Sequence, residues 1–303
     1  MKEHRLEFVD SEHPWSPTAV VEEINALTGS ALELVALDEQ TGGTSGAAYV
    51  RWPDGREWAL TRTDIPLGWM RRTAEILSRL RSQGLPVPRH DLVISLADGY
   101  LAVVQERMPG RPPTWVNADR VEAMVRANER FAGLLADCWD GAILPDATTS
   151  ASEDAHHRYA ALEAYSDRSR HLLRRIREIE RNAPTDLPNG DLVHPDYGLG
   201  NVLFDASGTI SGIVDWNGGA WCGDHRFALL KLVLNIKAEG DQYGVQQEAR
   251  DHLDEIVRGS IERDVLRLYW ARWTSIKVAH AIREGFSSHR IDEELRLGED
   301  RLS

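Results

Sequence analysis

The sequence is poor in cysteine, in long apolar runs and in positive charge, and each shortage argues against a class of protein. Its two cysteines, Cys138 and Cys222, are too few for a disulfide framework or a zinc site. No apolar run approaches the ~20 residues that a membrane-spanning helix needs. The polar start of the chain also lacks the apolar centre of a signal peptide. We therefore expect a protein of the reducing cytoplasm without a membrane partner.

Acidic residues outnumber basic ones by 48 to 35, which gives a formal net charge of -13. Nucleic-acid backbones attract positive surfaces, so we expect no nucleic-acid partner. The acidic excess suits a cationic ligand, because a cleft of one sign concentrates molecules of the other. Carboxylates that are merely solvated at the surface explain the excess equally well. The 303 residues are enough for two lobes, each with its own core.

The residues that indicate chemistry are concentrated in one stretch, residues 191–216. Within it, His194, Asp196 and Asn201 form the pattern H-x-D-x-x-x-x-N. This is the spacing of the protein-kinase catalytic loop, in which the Asp accepts the proton of the substrate hydroxyl and the Asn holds a magnesium ion. We assign the catalytic role to Asp196. We expect His194 to brace the backbone of the loop rather than to transfer a proton.

Two short apolar runs follow Asn201, at residues 202–204 and 210–214, and the turn-forming residues between them predict a hairpin. The hairpin ends at Asp215, so we expect it to return Asp215 to the side of Asn201. A carboxylate and an amide oxygen at one point suit magnesium, which prefers oxygen ligands. In the alternative, these two residues and Asp196 only form turns and strand ends, and three oxygen-bearing side chains converge by chance.

This stretch resembles the aminoglycoside phosphotransferase and choline-kinase-like family of small-molecule kinases. The resemblance is carried by residues 192–203 (Leu-Val-His-Pro-Asp-Tyr-Gly-Leu-Gly-Asn-Val-Leu), by residues 213–216 (Ile-Val-Asp-Trp) and by Gly223-Asp224 after them. The motifs are most similar to the hygromycin and viomycin phosphotransferase branches. The resemblance implies ATP or GTP as co-substrate, magnesium as cofactor, and transfer of the γ-phosphoryl group to a hydroxyl of a small molecule.

The resemblance also implies a bilobal, protein-kinase-like α+β fold. Residues 1–107 would form an N-lobe that binds the nucleotide, with a small antiparallel sheet and helices. Residues 108–303 would form a larger, mainly helical C-lobe with the catalytic loop, the metal site and the substrate-binding helices. The N-lobe pattern fits this division, because Ser16-Pro17 is a typical helix start and Gly- and Pro-containing turns separate the apolar runs. The predicted elements are strands at 32–37, 47–52, 57–62, 92–96 and 100–105, and a second helix at 69–81.

Apolar residues at helical spacing predict five helices in the C-lobe. They run from Asn117 to about residue 139, and over residues 153–181, 225–238, 245–257 and 261–283. Asp224 precedes the third of these helices. It either caps that helix or, as the resemblance implies, helps to hold the catalytic loop. The acidic residues of the last helices are expected to be solvated, so no substrate-binding carboxylate is assigned.

Two segments are candidates for the nucleotide site. Gly42, Gly43 and Ser45 lie in a glycine-rich turn whose backbone N–H groups would approach the phosphates, although hairpins often need glycine for other reasons. The resemblance places the pairing of the purine base at backbone groups of Glu106 and Met108, in the hinge between the lobes. A plain interdomain linker has the same composition.

The sequence departs from the family at the two positions of its phosphate-positioning ion pair. Thr61 stands where the family has a phosphate-pairing Lys or Arg, and Arg62 follows it on the other face of a regular strand. Arg62 either contacts phosphate through a bulge or is a surface strand residue. Thr73 stands where the partner Glu is expected, and Glu75 lies two positions further, on another helix face.

The leading hypothesis is a kinase that phosphorylates a small, cationic molecule, for which an antibiotic such as an aminoglycoside or a basic cyclic peptide is the narrower prediction. Asp196 would take the hydroxyl proton, and Asn201 and Asp215 would hold magnesium. A metabolite kinase of the choline, homoserine or sugar type is the first alternative. A nucleotide-binding pseudokinase is the second, motivated by Thr61 and Thr73. The sequence specifies neither the preferred nucleotide nor the oligomeric state.

Overall fold

The structure, a computed structural model, describes residues 15–37, 46–136 and 153–303. These residues form two compact units. The first unit contains the described residues up to Pro113 together with Gly200–Ala220, and the second contains those of Thr114–Leu199 together with Trp221–Ser303. The division at residue 107 stays a prediction. The units differ from it mainly because residues 200–220 group with the first unit.

The elements are numbered in chain order over the described residues. The helices are α1 (Pro17–Thr28), α2 (Leu67–Ser82), α3 (Ala118–Glu129), α4 (Glu153–Tyr165), α5 (Asp167–Arg181), α6 (Phe227–Glu239), α7 (Gln247–Ser260), α8 (Arg263–Arg283) and α9 (Ser288–Leu302). The strands are β1 (Glu33–Leu37), β2 (Ala48–Arg51), β3 (Glu57–Thr63), β4 (His90–Ser95), β5 (Leu101–Glu106), β6 (Asp191–Val193), β7 (Val202–Phe204), β8 (Ile210–Ile213) and β9 (Trp221–Gly223).

The first unit is built on an antiparallel sheet of five strands in the order β1-β2-β3-β5-β4. Side chains alternate between the two faces of each strand. On one face, Leu60 and Val104 join the apolar residues of α1 in a core cluster. On the other face, Val103 packs against Met70 of α2. This sheet, with a mainly helical second unit, confirms the predicted α+β class.

Local sequence signals place the first elements as predicted. The Ser16 hydroxyl accepts the N–H of Ala19 at 3.3 Å and caps α1, and Pro17 occupies the first helical position. Gly29 ends the helix with φ at 68°, a left-handed conformation that glycine adopts without strain. These contacts set α1 against the sheet and leave the opposite face to α2.

The second unit differs from the sequence prediction at three places. The single helix predicted over residues 153–181 is wrong, because α4 and α5 are separate and Ser166 caps α5 in a capping box with Ser169. The helix that begins after Asn117 is shorter than predicted, since α3 ends at Glu129. The C-terminal helix α9 was not predicted. Buried leucines in both α4 and α5 keep a helical spacing across the break, which conceals it in the sequence.

None of the helices in the described part of the chain is long and apolar enough to cross a membrane. The longest of them, α8, has 21 residues and carries charged residues along its length.

Candidate active site

The loop that carries Asp196 begins at the end of β6, which pairs with β9 in the second unit. His194, the first residue after β6, is fully buried. Its Nδ1 accepts the backbone N–H of Asp196 at 3.1 Å. Because Nδ1 is an acceptor here, the ring carries its proton on Nε2. His194 therefore holds the loop backbone on which the carboxylate of Asp196 is presented.

The carboxylate of Asp196 forms an ion pair with Lys231, on α6 of the same unit. The Asp196 side chain is 47% exposed, whereas that of Lys231 is 19% exposed. The lysine is thus largely buried, and the Asp196 side chain remains half exposed. Sequence reasoning missed Lys231, because α6 is dominated by buried apolar residues.

A second residue of α6, Asn235, supports the same loop. Its Oδ1 accepts the N–H of Leu199 at 2.8 Å, and its Nδ2 donates to Glu239 at 2.8 Å. A Cβ on Gly198 would lie 3.1 Å from the Asn235 side chain, so glycine permits this close approach. Lys231, Asn235 and Glu239 follow one another at spacings of four. They form a polar stripe on a mainly apolar helix, and this was the available sequence signal.

Behind the loop lies a buried network of charged residues. Asp224 is fully buried and accepts hydrogen bonds from Arg226 and from the Tyr269 hydroxyl, each at 2.7 Å. Asp191 accepts the N–H of Gly133 at 2.6 Å and bonds the His225 ring at 2.7 Å. Ligand atoms of Asp191, Asp224 and His225 lie within 4.8 Å of one another. Because protein donors occupy these carboxylates, the cluster is structural.

The electrostatics of this network agree with a structural role. Burial alone would raise the pKa of Asp191, but hydrogen bonds from His225 and Gly133 outweigh it and hold that pKa below its usual range. Burial raises the pKa of Tyr269, and the neighbouring Asp224 carboxylate adds to the effect. Asp191 and Asp224 accept the backbone N–H groups of His225 and Arg226 and so hold the turn that leads into α6.

In the first unit, β7 and β8 form the predicted hairpin, with Val202 opposite Ile213. The ladder continues by one bond, in which Val214 donates its N–H to the carbonyl of Asn201 at 2.9 Å. Asp215 follows directly. The structure therefore brings Asn201 and Asp215 to the same end of the hairpin. Their role as metal ligands stays a prediction.

Asp215 has a left-handed backbone with φ at 63°, which no other non-glycine residue adopts in the described part of the chain. Such a conformation is strained for a residue with a Cβ, though aspartate tolerates it better than most. The next residue, Trp216, is fully buried and donates its indole N–H to the Ile213 carbonyl at 2.9 Å. The buried indole fixes the backbone directly after Asp215. The position of Asp215 at the end of the hairpin is therefore well defined.

The segment after Asp215 is held by threonines of β3. The hydroxyl of Thr61 donates to Oδ1 of Asn217 at 2.8 Å, and the hydroxyl of Thr63 donates to the Asn217 carbonyl at 2.7 Å. Gln105 of β5 donates to the Thr61 hydroxyl at 3.4 Å. Thr61 thus bonds the hairpin side of the site with a neutral group, at the position where the resemblance implies a cation.

Helix α2 holds the same segment three residues further along. The Thr73 hydroxyl accepts the N–H of Ala220 at 2.9 Å, and the Trp69 indole donates to the Ala220 carbonyl at 2.9 Å. A Cβ on Gly219 would overlap the indole ring of Trp69. We call Thr61, Thr63 and Thr73 the threonine network. Thr61 and Thr73 stand at the two positions where the resemblance implies an ion pair, and both are uncharged.

Arg62 lies on the sheet face opposite Thr61. The β3–β5 ladder is regular there, with Arg62 opposite Ala102 and no bulge. Its guanidinium forms an ion pair with Asp98 and stacks over the Tyr100 ring at 4.2 Å. This placement favours the second interpretation of Arg62, a strand residue held at the surface, over a phosphate contact.

Of the two predicted hinge residues, only Met108 has free backbone groups. The N–H of Glu106 donates to the Arg89 carbonyl at 2.8 Å, and its carboxylate pairs with Arg81 at 2.6 Å. The backbone N–H and carbonyl of Met108 have no hydrogen-bond partner among the described residues. A Cβ on Gly212 of β8 would lie 2.9 Å from the Met108 side chain, so the two segments approach closely.

The predicted phosphate-binding turn, Gly42, Gly43 and Ser45, lies outside the described residues. Its contact with phosphate therefore stays a prediction.

Several solved structures share this fold. An aminoglycoside 3'-phosphotransferase of type VIII is 23% identical, with 83% of this chain and 97% of that chain covered and a TM-score of 0.57. An amicoumacin kinase solved with AMP-PNP, Ca²⁺ and Ami is 14% identical, with coverage of 95% and 94% and a TM-score of 0.64. A thermostable mutant of aminoglycoside phosphotransferase APH(4)-Ia, in ternary complex with AMP-PNP and hygromycin B, is 15% identical, with coverage of 94% and 96% and a TM-score of 0.65. No curated protein matches the sequence.

The sheet, the braced H-x-D-x-x-x-x-N loop and the hairpin that ends in Asp215 together define a kinase-like phosphotransferase. The sequence profile of the phosphotransferase enzyme family, APH, matches residues 39–252, which is more than half of the chain. The chain belongs to this family. The family and the enzyme class predicted from the sequence, a phosphotransferase acting on small molecules, are confirmed.

Proposed function

We propose that the protein transfers the γ-phosphoryl group of ATP or GTP to a hydroxyl of a small, cationic molecule, with an antibiotic as the substrate class. The observation that carries the proposal is the half-exposed carboxylate of Asp196, which is paired with Lys231 and stands on a backbone that His194 holds. Such a carboxylate is accessible to a substrate hydroxyl and is oriented before the substrate binds. Phosphoryl transfer requires both properties of its catalytic base.

In the proposed reaction, the acceptor hydroxyl donates a hydrogen bond to the carboxylate of Asp196. Its oxygen forms a bond to the γ-phosphorus while the bond from that phosphorus to the β–γ bridging oxygen breaks. The nucleoside diphosphate leaves with the electron pair of the broken bond. The hydroxyl proton passes to Asp196 as the new bond forms, and from there to solvent.

The residues at the end of the hairpin fit a magnesium ion. Asn201 offers an amide oxygen and Asp215 a carboxylate, and hard cations take such oxygen ligands together with phosphate oxygens. The strained backbone of Asp215 gives a further reason to assign it a role, because strain of this kind is concentrated at functional sites. Magnesium bound there would neutralise charge on the phosphates.

Support for the nucleotide comes from the free backbone groups of Met108 and from the relatives that were solved with AMP-PNP. A purine edge needs one donor and one acceptor in line, and Met108 supplies both. Support for an antibiotic substrate comes from the relatives solved with hygromycin B and with Ami. The net charge of -13 supports a cationic one. We place the activity in the cytoplasm, on the composition alone.

Mass spectrometry of candidate acceptors tests the proposal. The protein is incubated with magnesium, with ATP or GTP, and with aminoglycosides, basic cyclic peptides, nucleoside antibiotics and choline-like metabolites. We expect an antibiotic product heavier by one phosphate. A phosphorylated metabolite would instead support the metabolite kinase. Nucleotide binding without transfer to any acceptor would support a pseudokinase, which the uncharged threonine network favours.

Two substitutions separate the proposed roles. Asp196→Ala should abolish transfer and leave nucleotide affinity within a few-fold of wild type, because Asp196 acts on the acceptor. Asp215→Asn should also abolish transfer but weaken magnesium-dependent nucleotide binding, since an amide is a poorer ligand than a carboxylate. Asp264→Ala, at an exposed position of α8, is the control. Full activity of Asp196→Ala would contradict the proposal.

A further inference from the structure

Phosphoryl transfer needs positive charge at the reacting groups, and the usual source is missing from β3. The hydroxyl of Thr61 is neutral and is engaged with Asn217. Arg62 is turned to the other face of the sheet and paired with Asp98. Electrostatic stabilisation of the developing charge is commonly the largest catalytic contribution in such reactions. The residues that contact the proposed base are therefore the first candidates for a cation elsewhere in the chain.

Lys231 is such a cation, since it contacts the proposed base directly. Its ammonium group pairs with one carboxylate oxygen of Asp196. Only four of the 35 basic residues in the sequence are lysines. Lysine suits this position because its compact charge on a flexible stem can turn from a carboxylate to a phosphate, whereas arginine favours a fixed two-pronged pairing.

The placement of the pair argues against a purely stabilising salt bridge. Ion pairs with an exposed partner contribute little to stability, and the Asp196 side chain is 47% exposed. The loop is already fixed without Lys231, since His194 binds its beginning and Asn235 binds its end at Leu199. The ion pair with Lys231 instead orients the Asp196 carboxylate and places a positive charge beside it.

Lys277 on α8 is a charged neighbour of Lys231. Burial lowers the pKa of Lys277 on α8; Glu294 of α9 opposes this, and repulsion from Lys231 adds to it. Lys277 therefore reinforces the positive potential near Lys231. His194 contributes no charge, because its Nδ1 accepts a hydrogen bond from the loop.

We propose that Lys231 is a positioning residue for phosphoryl transfer, which directs the Asp196 carboxylate toward the acceptor hydroxyl and supplies positive charge beside it. The proton that moves is that of the acceptor hydroxyl, which passes to Asp196. This inference rests on the proposed function.

The test compares Lys231→Met with Lys231→Arg and with Lys237→Met, a matched control at an exposed lysine of the same helix. Steady-state kinetics use the acceptor found by mass spectrometry, and nucleotide hydrolysis serves as the probe where water is the acceptor. We expect Lys231→Met to lower kcat by about 100-fold or more, with KM for the nucleotide nearly unchanged. Lys231→Arg should recover part of the loss, and Lys237→Met should behave as wild type.

The pH profile separates this role from a structural one. In Lys231→Met the acidic limb of kcat should move to higher pH, because a carboxylate without its neighbouring cation is protonated more easily. Thermal unfolding of each variant shows whether the fold is retained, and Lys231→Arg carries the test if Lys231→Met fails to fold. An unmoved acidic limb, or a kcat equal to that of Lys237→Met, would overturn the inference alone. No phosphate transfer by the wild-type protein to any acceptor, or to water, would overturn the proposed function as well.

Discussion

The hydroxyl of Thr61 donates a hydrogen bond of 2.8 Å to Oδ1 of Asn217, two residues beyond Asp215. The threonine therefore binds protein where the family resemblance implies a cation that binds phosphate. Together with Thr63 and Thr73 it fixes the backbone from Asn217 to Ala220. The resemblance implies a charged pair that positions the phosphates. This protein instead has neutral threonines, which hold the segment that follows Asp215, the proposed metal ligand.

Thr61→Val should lower the free energy of unfolding of the first unit by about 1–3 kcal/mol. The substitution keeps the shape of the buried side chain but leaves Oδ1 of Asn217 and the amide of Gln105 without their partner. It should also raise the magnesium concentration needed for half-maximal transfer. Denaturant titration measures the first effect and a magnesium titration of activity the second. Thr209→Val, at an exposed turn, is the control, and equal stability of the two variants would contradict the prediction.

Gly219→Ala and Gly208→Ala form a second matched pair. Both glycines have a left-handed backbone, with φ at 71° and 84°, so both substitutions introduce similar backbone strain. A Cβ at Gly219 would also overlap the Trp69 indole, whereas a Cβ at Gly208 meets nothing within 4 Å. We expect Gly219→Ala to be less stable than Gly208→Ala by about 1–3 kcal/mol. Thermal unfolding measures the difference, and the same melting temperature for both would show that the indole moves aside freely.

His90 should make the first unit sensitive to acid. It lies opposite Gln105 in the β4–β5 ladder, and both of its ring nitrogens are buried without a hydrogen-bond partner among the described residues. Burial lowers the pKa of His90 from 6.5 to about 4, and a weaker effect of Gln105 opposes it. Between these two values the unfolded chain binds a proton that the folded protein does not.

The stability contributed by neutral His90 is therefore complete above pH 6.5 and is lost as the pH falls toward 4, by up to about 3 kcal/mol. The substitution His90→Phe removes this pH-dependent contribution to the free energy of unfolding. Denaturant unfolding from pH 7 to pH 4 should show the wild-type protein losing stability relative to His90→Phe. His289→Gln, at an exposed position, should stay parallel to wild type. Parallel curves for wild type and His90→Phe would show that the ring is protonated within the fold.

The parts of the site that the sequence predicted are those determined by neighbours along the chain. The hairpin after Asn201 follows from two apolar runs and a turn, and the pattern that contains His194 and Asp196 lies within one short loop. The cap at Ser16 and the glycine at the end of α1 are equally local. Such signals depend on a few residues in a row, and they can be read without knowing the rest of the fold.

The missed parts depend on contacts between distant segments or on continuous helical spacing. Thr61 and Asn217 lie 156 positions apart, and no periodicity relates them. Lys231 was concealed by the apolar residues around it on α6, although its spacing of four to Asn235 was visible. The break at Ser166 was concealed because serine is also found within helices, and only the capping bonds distinguish a cap from an interior residue.

Residues 200–220 belong to the first unit, yet the chain reaches them only after residues 114–199 of the second. Neither unit is therefore a continuous piece of sequence. During synthesis, the partners of Thr61, Thr63 and Trp69 are absent until Ala220 has left the ribosome. The first unit therefore cannot complete its folding before residues 114–199 of the second have been made. A fragment that stops at Pro113 would lack the hairpin and Asp215. Dividing the chain at any one position therefore cannot give two fragments that each contain one complete unit.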